Sequence, residues 1–242
     1  MHRICPMKYE KGKFMLKKLT MLILLVGAGM VILSGCSLKS SRRFIEGKAA
    51  ELSKVYPTEN LEDLFEKFPE GFNITINDLY EYNEDSGYRF QTISLDGNSQ
   101  TKQISGTISE EKISFEQNGK NREELIYKGA VTYQYGKIQL KDSTANIKIK
   151  SPILLLQEFT INKASLSKLH MGGKSYSYET GSADIDYTLT DPILNNYMGV
   201  EQDKELKMII YIMREAIENK TFSYTLKIRD GQNSHTELIA GG

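Results

Sequence analysis

The residues with the clearest chemistry are Leu33-Ser34-Gly35-Cys36, at the end of an uncharged apolar run. Two lysines precede this run, which extends from Leu19 to Leu33. A basic start, an apolar stretch and small residues before a cleavage point are typical of an export signal. A cysteine at that point predicts a thiol that receives a diacylglycerol group, with cleavage between Gly35 and Cys36. The sequence therefore predicts a lipidated protein.

The alternative is that the apolar run is an uncleaved membrane-spanning helix. Its fifteen residues would extend about 22 Å at 1.5 Å per residue, whereas the hydrocarbon core of a bilayer is about 30 Å thick. Gly27 and Gly29 also weaken helix formation. We therefore expect residues 1–35 to be a lipoprotein signal peptide. A compact signal would begin at Met15, so we expect translation to start there or at Met7.

Other reactive residues lack the spacing that catalysis requires. His170 could act as a base beside Ser165 or Ser167, but neither serine lies in a G-x-S-x-G motif. His235 falls in a segment that we predict to be a polar tail, and the sequence has no H-E-x-x-H motif. We therefore predict no catalytic residue, no metal site and no cofactor.

Asp184 and Asp186 alternate along an extended segment and are expected to share one face of a strand. Two carboxylates are the minimum for glycoside hydrolysis or for a calcium site. The same alternation arises on any strand face that contacts water, and we favour that interpretation.

Tyrosine is abundant, with 14 residues against no tryptophan. The spacing predicts that Tyr133 and Tyr135 share one strand face, as do Tyr176 and Tyr178. Exposed tyrosines are favoured in protein interfaces, and half-buried tyrosines at sheet margins are the alternative. We take the four tyrosines as candidate binding residues.

Two helices are predicted at the start of the folded region. The first has one apolar stripe and ends at Pro57. Thr58 or Asn60 can cap the second, which ends at Pro69. The apolar stripe of the first helix is Ile45, Ala49, Leu52 and Tyr56, and that of the second is Leu61, Leu64, Phe65 and Phe68.

From about Phe72 to Lys150 the apolar residues follow a period of two, which is typical of strands with one buried face. Asn118-Gly119 predicts a tight hairpin turn. The expected strands are 88–95, 103–108, 112–117, 124–127, 131–135, 137–140 and 146–150. The apolar run 153–156 fits a buried strand or a short helix. Further on, we predict extended structure at 176–190, a helix at 203–219 and a last strand at 221–229.

These elements predict an α+β fold, in which an antiparallel twisted β-sheet, a meander, is packed by N-terminal helices and one late helix. Residues 1–36 contain six of the 31 basic residues but one of the 31 acidic residues, so the remainder has a net charge of −5. This charge disfavours nucleic acid as a partner. We expect a signal peptide at 1–35, a lipidated cysteine and short tether at 36–43, and one α+β lipoprotein domain at 44–242.

The segment VYPTENLEDLF, residues 55–65, resembles the YP-x-x-NLEDLY stretch of the tandem-type, conserved staphylococcal antigen-like lipoproteins of Gram-positive bacteria. The match covers about a dozen residues. The tryptophan-containing GTW strand of that family has only a rough counterpart here, in residues 87–90. The family has no established catalytic residues, so the resemblance implies a surface antigen-like lipoprotein and no particular site.

Our leading hypothesis is a non-enzymatic lipoprotein on the extracellular face of the cell membrane, anchored through Cys36 and processed by lipoprotein-processing enzymes. It would act by contact with a host or envelope protein. One alternative is a protein that binds a small molecule or a lipid between sheet and helices. Another is a cell-wall or glycan hydrolase that uses Asp184 and Asp186.

Overall fold

The computed structural model describes residues 38–82, 87–115 and 121–242. The chain forms two compact units, which divide after Phe44. In the first unit a helix begins at Arg42. The hydroxyl of the preceding residue, Ser41, donates to the Leu38 carbonyl at 2.7 Å and accepts from the Phe44 amide at 3.3 Å. The predicted cleavage and lipidation residues Gly35 and Cys36 lie outside the described residues. So does the predicted turn at 118–119.

In the second unit, Ile45–Gly242, the described residues include ten strands that form one antiparallel sheet. The strands are β1 (Phe72–Tyr82), β2 (Gly87–Asn98), β3 (Gln103–Phe115), β4 (Asn121–Gln134), β5 (Lys137–Leu140), β6 (His170–Tyr176), β7 (Ala183–Leu189), β8 (Leu206–Ile212), β9 (Phe222–Arg229) and β10 (Ser234–Gly241). Their spatial order is β5-β4-β3-β2-β1-β10-β9-β8-β7-β6. Two five-stranded meanders therefore meet where β1 pairs with β10. The predicted antiparallel α+β fold is confirmed in outline, with more sheet than helix.

Short helices complete the fold. Within the described ranges the α-helices are α1 (Arg42–Ala49), α2 (Leu64–Lys67), α3 (Leu155–Glu158), α4 (Lys163–Leu166), α5 (Pro192–Met198) and α6 (Arg214–Ile217), and two 3₁₀ segments span Ala50–Lys54 and Leu61–Asp63. Residues 153–156, for which the sequence fits a buried strand or a short helix, lead into a helix, because α3 begins at Leu155.

The two faces of the sheet differ in burial. On β7 the residues Ala183, Ile185, Tyr187 and Leu189 are buried and those between them are partly exposed. The same alternation runs along β1, β2, β8 and β10, as expected for a sheet packed on one side. We call the buried side, which contacts the helices and loops, the covered face, and the other side the open face.

The N-terminal predictions are largely confirmed. The apolar residues of both predicted stripes are buried, and Glu62 and Asp63 are exposed beside the second. The Asn60 side chain accepts a hydrogen bond from the Glu62 amide, which makes Asn60 the N-cap. The first helix, however, is α-helical only to Ala49 and continues as a 3₁₀ segment.

The helix predicted at 203–219 is wrong. Its first half is strand β8, whose residues Leu206, Met208, Ile210 and Ile212 are buried, and only Arg214–Ile217 form a helix. The open face of β8 also carries the apolar residues Ile209 and Tyr211. Because both faces of this strand are apolar, a helical period fits the sequence as well as a period of two.

The predicted polar tail is also wrong, because residues 234–241 form β10 at the centre of the sheet. In contrast, residues 146–150 belong to none of the strands, although their burial alternates as predicted. The Gln91 side chain takes the place of a neighbouring strand there. It accepts from the Lys150 amide at 2.9 Å and donates to the Lys148 carbonyl at 3.1 Å.

A second buried side-chain amide, that of Gln157, connects loops near the turn between β4 and β5. The Gln157 side chain donates to the carbonyls of Glu59 at 2.9 Å and Gly136 at 3.0 Å, and to the Tyr133 hydroxyl at 3.2 Å. Its oxygen accepts from the Leu154 amide at 3.0 Å. Side chains between the layers thus replace the backbone pairing that the loops lack.

Candidate functional site

The most unusual chemistry of the described residues lies on the covered face of the central strand pair. Asp78 on β1 stands directly opposite His235 on β10, and Glu237 follows two residues later on the same face. Each of the three side chains is at least 96% buried. Ionisable groups are rarely this buried unless they are paired. We call Asp78, His235 and Glu237 the triad, and its members are expected to contact one another or other polar groups.

His235 lies between the two carboxylates. Its Nδ1 is 2.7 Å from Asp78 Oδ1, and its Nε2 is 3.1 Å from Glu237 Oε1. The Tyr197 hydroxyl, which donates to the Ile153 carbonyl at 3.1 Å, lies 3.3 Å from the same Nε2. A protonated imidazole donates from both nitrogens, so this arrangement fits the charged form of His235.

Glu237 connects the sheet to the helical layer. Its Oε1 accepts from the Leu155 amide at 2.6 Å, and its Oε2 accepts from the Leu156 amide at 3.0 Å. The Tyr56 hydroxyl donates to the same Oε2 at 2.7 Å. With His235, four donors surround this carboxylate, which offsets the cost of removing its charge from water.

The triad determines the charges of the site. Burial alone lowers the pKa of His235, but the charges and hydrogen bonds of Asp78 and Glu237 outweigh it and raise the pKa to about 10. Burial, together with the charge of Glu237, raises the pKa of Tyr56 well above its ordinary value. At neutral pH, His235 is therefore charged and Tyr56 is neutral.

This site is not predicted from the sequence, because the polar residues around His235 are typical of a tail. Two signals could have revealed it. His235, Glu237 and Ile239 recur at every second residue, as in a strand, and Asp78 continues the alternating series of Ile74 and Ile76. A charged residue in the apolar series of a strand indicates a buried partner.

The two serines that His170 could have activated form hydrogen bonds with backbone groups in the described part of the chain. Ser165 donates to the Asn162 carbonyl at 2.8 Å and accepts from the Asn162 amide at 3.0 Å, which caps α4. The Ser167 hydroxyl donates to the Ala164 carbonyl at 3.1 Å. His170 is an exposed residue at the start of β6. Both hydroxyls thus stabilise a helix terminus.

Asp184 and Asp186 share the open face of β7, as expected. Asp184 accepts a hydrogen bond from Ser175 on β6, and Asp186 forms an ion pair with Lys207 on β8. A Cβ atom at Gly172, which lies at the bulge in β6, would be 3.0 Å from the Asp186 carboxylate, so the carboxylate would have to shift slightly to admit it. Both carboxylates therefore have structural partners on neighbouring strands.

The tyrosine pairs are only partly as expected. Tyr133 is buried on β4, where its hydroxyl accepts from the Leu61 amide at 3.2 Å. Tyr135 does not share its strand face. It is 92% exposed and forms a hairpin turn with Gly136, both residues having positive φ, as a type I′ turn requires.

Tyr176 and Tyr178 do lie together. Their ring centroids are 4.9 Å apart in an edge-to-face arrangement, and Tyr178 is exposed. Tyr176 ends β6, whereas Tyr178 lies in the following turn. Among the predicted tyrosines, this pair and Tyr135 therefore present rings to a possible partner.

No family model matches this sequence, and no curated protein matches it either. Within the described ranges, no cluster of three or more His, Cys, Asp or Glu residues is arranged to hold a metal ion. None of the described helices combines the length and the apolar character needed to cross a membrane.

The charge of His235 predicts a loss of stability in alkali. Because its pKa rises from about 6.5 in an unfolded chain to about 10 in the fold, its stabilising effect is complete below about pH 6.5 and is lost as the pH rises through 10. Each pKa unit corresponds to about 1.4 kcal/mol, so the free energy of unfolding should fall by up to about 5 kcal/mol. Urea denaturation at several pH values measures this fall.

Two variants provide the controls. His235→Gln should be less stable at neutral pH and should lose most of the decline between pH 6.5 and 10. His170→Gln, which changes an exposed histidine, should keep it. A decline of equal size in both variants would contradict the role of His235.

Proposed function

We propose that this chain is a lipid-anchored, non-enzymatic surface lipoprotein of a Gram-positive bacterium, which acts by contact with host or envelope proteins. The observation that carries the proposal is the one-sided burial of the sheet. The helices and loops contact the covered face, and the open face presents partly exposed side chains on strand after strand.

The middle of the open face is a regular array of short polar side chains. Thr107, Ser94 and Thr75 are directly opposite one another on β3, β2 and β1, and the next row is Ser109, Thr92 and Asn77. Directly opposed side chains on neighbouring strands lie about 5 Å apart. Such an even surface favours a macromolecular partner, because small molecules bind in concave pockets.

The composition of this array favours a reversible contact. Hydroxyl and amide groups form hydrogen bonds with a partner or with interfacial water, whereas obligate interfaces are more apolar. Tyr135 and Tyr178 add exposed rings on two hairpins, and the half-buried Tyr176 packs edge-to-face against Tyr178. The resemblance of residues 55–65 to the tandem-type lipoproteins supports the same class of protein.

Anchoring through Cys36 is tested by Cys36→Ala. We expect this variant to accumulate as the uncleaved precursor and to lose diacylglycerol labelling, since the thiol accepts the lipid before cleavage. Metabolic labelling with a radioactive fatty acid, followed by mass measurement, distinguishes the two forms. Ser37→Ala is the control and should be processed normally. A cleaved, labelled product of Cys36→Ala would contradict the lipid anchor.

Contact through the open face is tested by site-specific photo-crosslinking. A photoreactive residue replaces Thr107, which is exposed on the open face, or Glu62, which is exposed beside the helical layer. In intact cells, or after mixing with host cells, Thr107 should give a discrete adduct that excess unmodified protein abolishes. No such adduct from Thr107, or the same adduct from Glu62, would contradict the proposal.

A further inference from the structure

One row of directly opposed residues crosses the open face and carries different charges in its two halves. In the first meander, β1–β5, the row contains Glu111 on β3 and Phe90 on β2. In the second meander, β6–β10, it contains Arg229 on β9 and Lys207 on β8. Pairing through β1 and β10 connects the two halves, so the four residues lie at one level along the strands.

The next row along the strands has the reverse arrangement of charges. It contains Lys128 on β4 in the first meander and Asp186 on β7 in the second. Asp186 forms an ion pair with Lys207. Glu111 and Lys128, in contrast, form no ion pair with any described residue. The second meander thus has a cation and an anion where the first has an anion and a cation.

The strand order makes these positions equivalent by symmetry. Counted outward from the junction of β1 and β10, β2 corresponds to β9, β3 to β8 and β4 to β7. A twofold axis that runs along the strands at this junction exchanges the corresponding strands and keeps every row at its level. Because a sheet twists uniformly across its strands, two copies related by this axis can stack with their open faces together.

In this arrangement the charges of the two copies are complementary. Glu111 of one copy faces Lys207 of the other, and Lys128 faces Asp186, so four charges alternate in sign. Phe90 faces Arg229, an exposed cation that can lie over its half-buried ring. Twofold symmetry forms each contact twice. Complementary charges of this kind favour one partner and one orientation.

The area of the contact is that of a stable interface. Between β4 and β7 the open face is eight strands wide. At about 4.8 Å per strand and about 20 Å of strand length, each copy contributes about 750 Å², close to the roughly 800 Å² per partner of standard interfaces.

We propose that two copies of this chain form a reversible, symmetric dimer through their open faces, with the first meander of each on the second meander of the other. This inference rests on the proposed function, in which the open face is the binding surface, and names a second copy as a partner. The polar middle of the face makes the dimer reversible, because obligate interfaces are more apolar.

Sedimentation velocity of the full chain, in detergent with micelles in large excess, tests the dimer. We expect the unmodified chain to dimerise. Glu111→Lys should raise the dissociation constant at least about tenfold, since it places two pairs of like charges across the interface. Glu62→Lys, the same change at an exposed residue beside the helical layer, should leave the dissociation constant unchanged.

A mixture of two variants tests the orientation. Lys207→Glu alone also opposes like charges and should be monomeric. Mixed with Glu111→Lys, it should form a dimer, because both contacts of the mixed pair again join a lysine to a glutamate. The comparison of Glu111→Lys with Glu62→Lys does not require Lys207→Glu to fold beside Asp186.

Three results would overturn the proposal: an unmodified chain that is monomeric at every concentration, a dimer that persists in Glu111→Lys, or a mixture of folded variants that stays monomeric. The purified chain has no other partner present, so these results do not depend on crosslinking in cells. A Thr107 adduct with a different protein would support the proposed function even if the purified chain is monomeric, and the mass of the adduct distinguishes that protein from a second copy.

Discussion

His235, held between Asp78 and Glu237, joins parts of this fold that are far apart in the sequence. Asp78 and His235 are 157 residues apart and face each other across the only strand pair that links the two meanders in the described sheet. No hairpin turn sets the register of that pair. A slip of β10 by one residue would turn both His235 and Glu237 to the open face and leave the Asp78 carboxylate buried without its cation. The triad therefore fixes the register at the centre of the sheet.

The same triad fixes the helical layer on the sheet. Glu237 accepts from the Leu155 and Leu156 amides and from the Tyr56 hydroxyl, so one carboxylate holds α3 and the end of the N-terminal helical segment. A buried ion pair adds little stability over apolar packing, but removal of one partner costs about 3–5 kcal/mol. Its main effect is to exclude other arrangements of the sheet and the helical layer.

The sequence predicted the features that depend on local patterns. The strand-rich middle, the two N-terminal apolar stripes and the Asn60 cap follow from periodicity and capping. Strand β8 was missed because Ile209 and Tyr211 make its open face apolar, and β10 because its buried face carries His235 and Glu237 instead of apolar residues. Asp78 in the series of Ile74 and Ile76 indicates a buried partner, but the identity of that partner could not be predicted, because it lies on the last strand of the sheet and Asp78 on the first.

The central claim is that His235 is a buried imidazolium between two carboxylates. Nitrogen NMR of the histidine-labelled protein tests it most directly, with the His235 signals assigned by their loss in His235→Gln. At pH 8 both ring nitrogens of His235 should have the chemical shifts of protonated nitrogen, since its pKa is raised to about 10. A neutral ring at pH 8, with one protonated and one unprotonated nitrogen, would contradict this account of the fold.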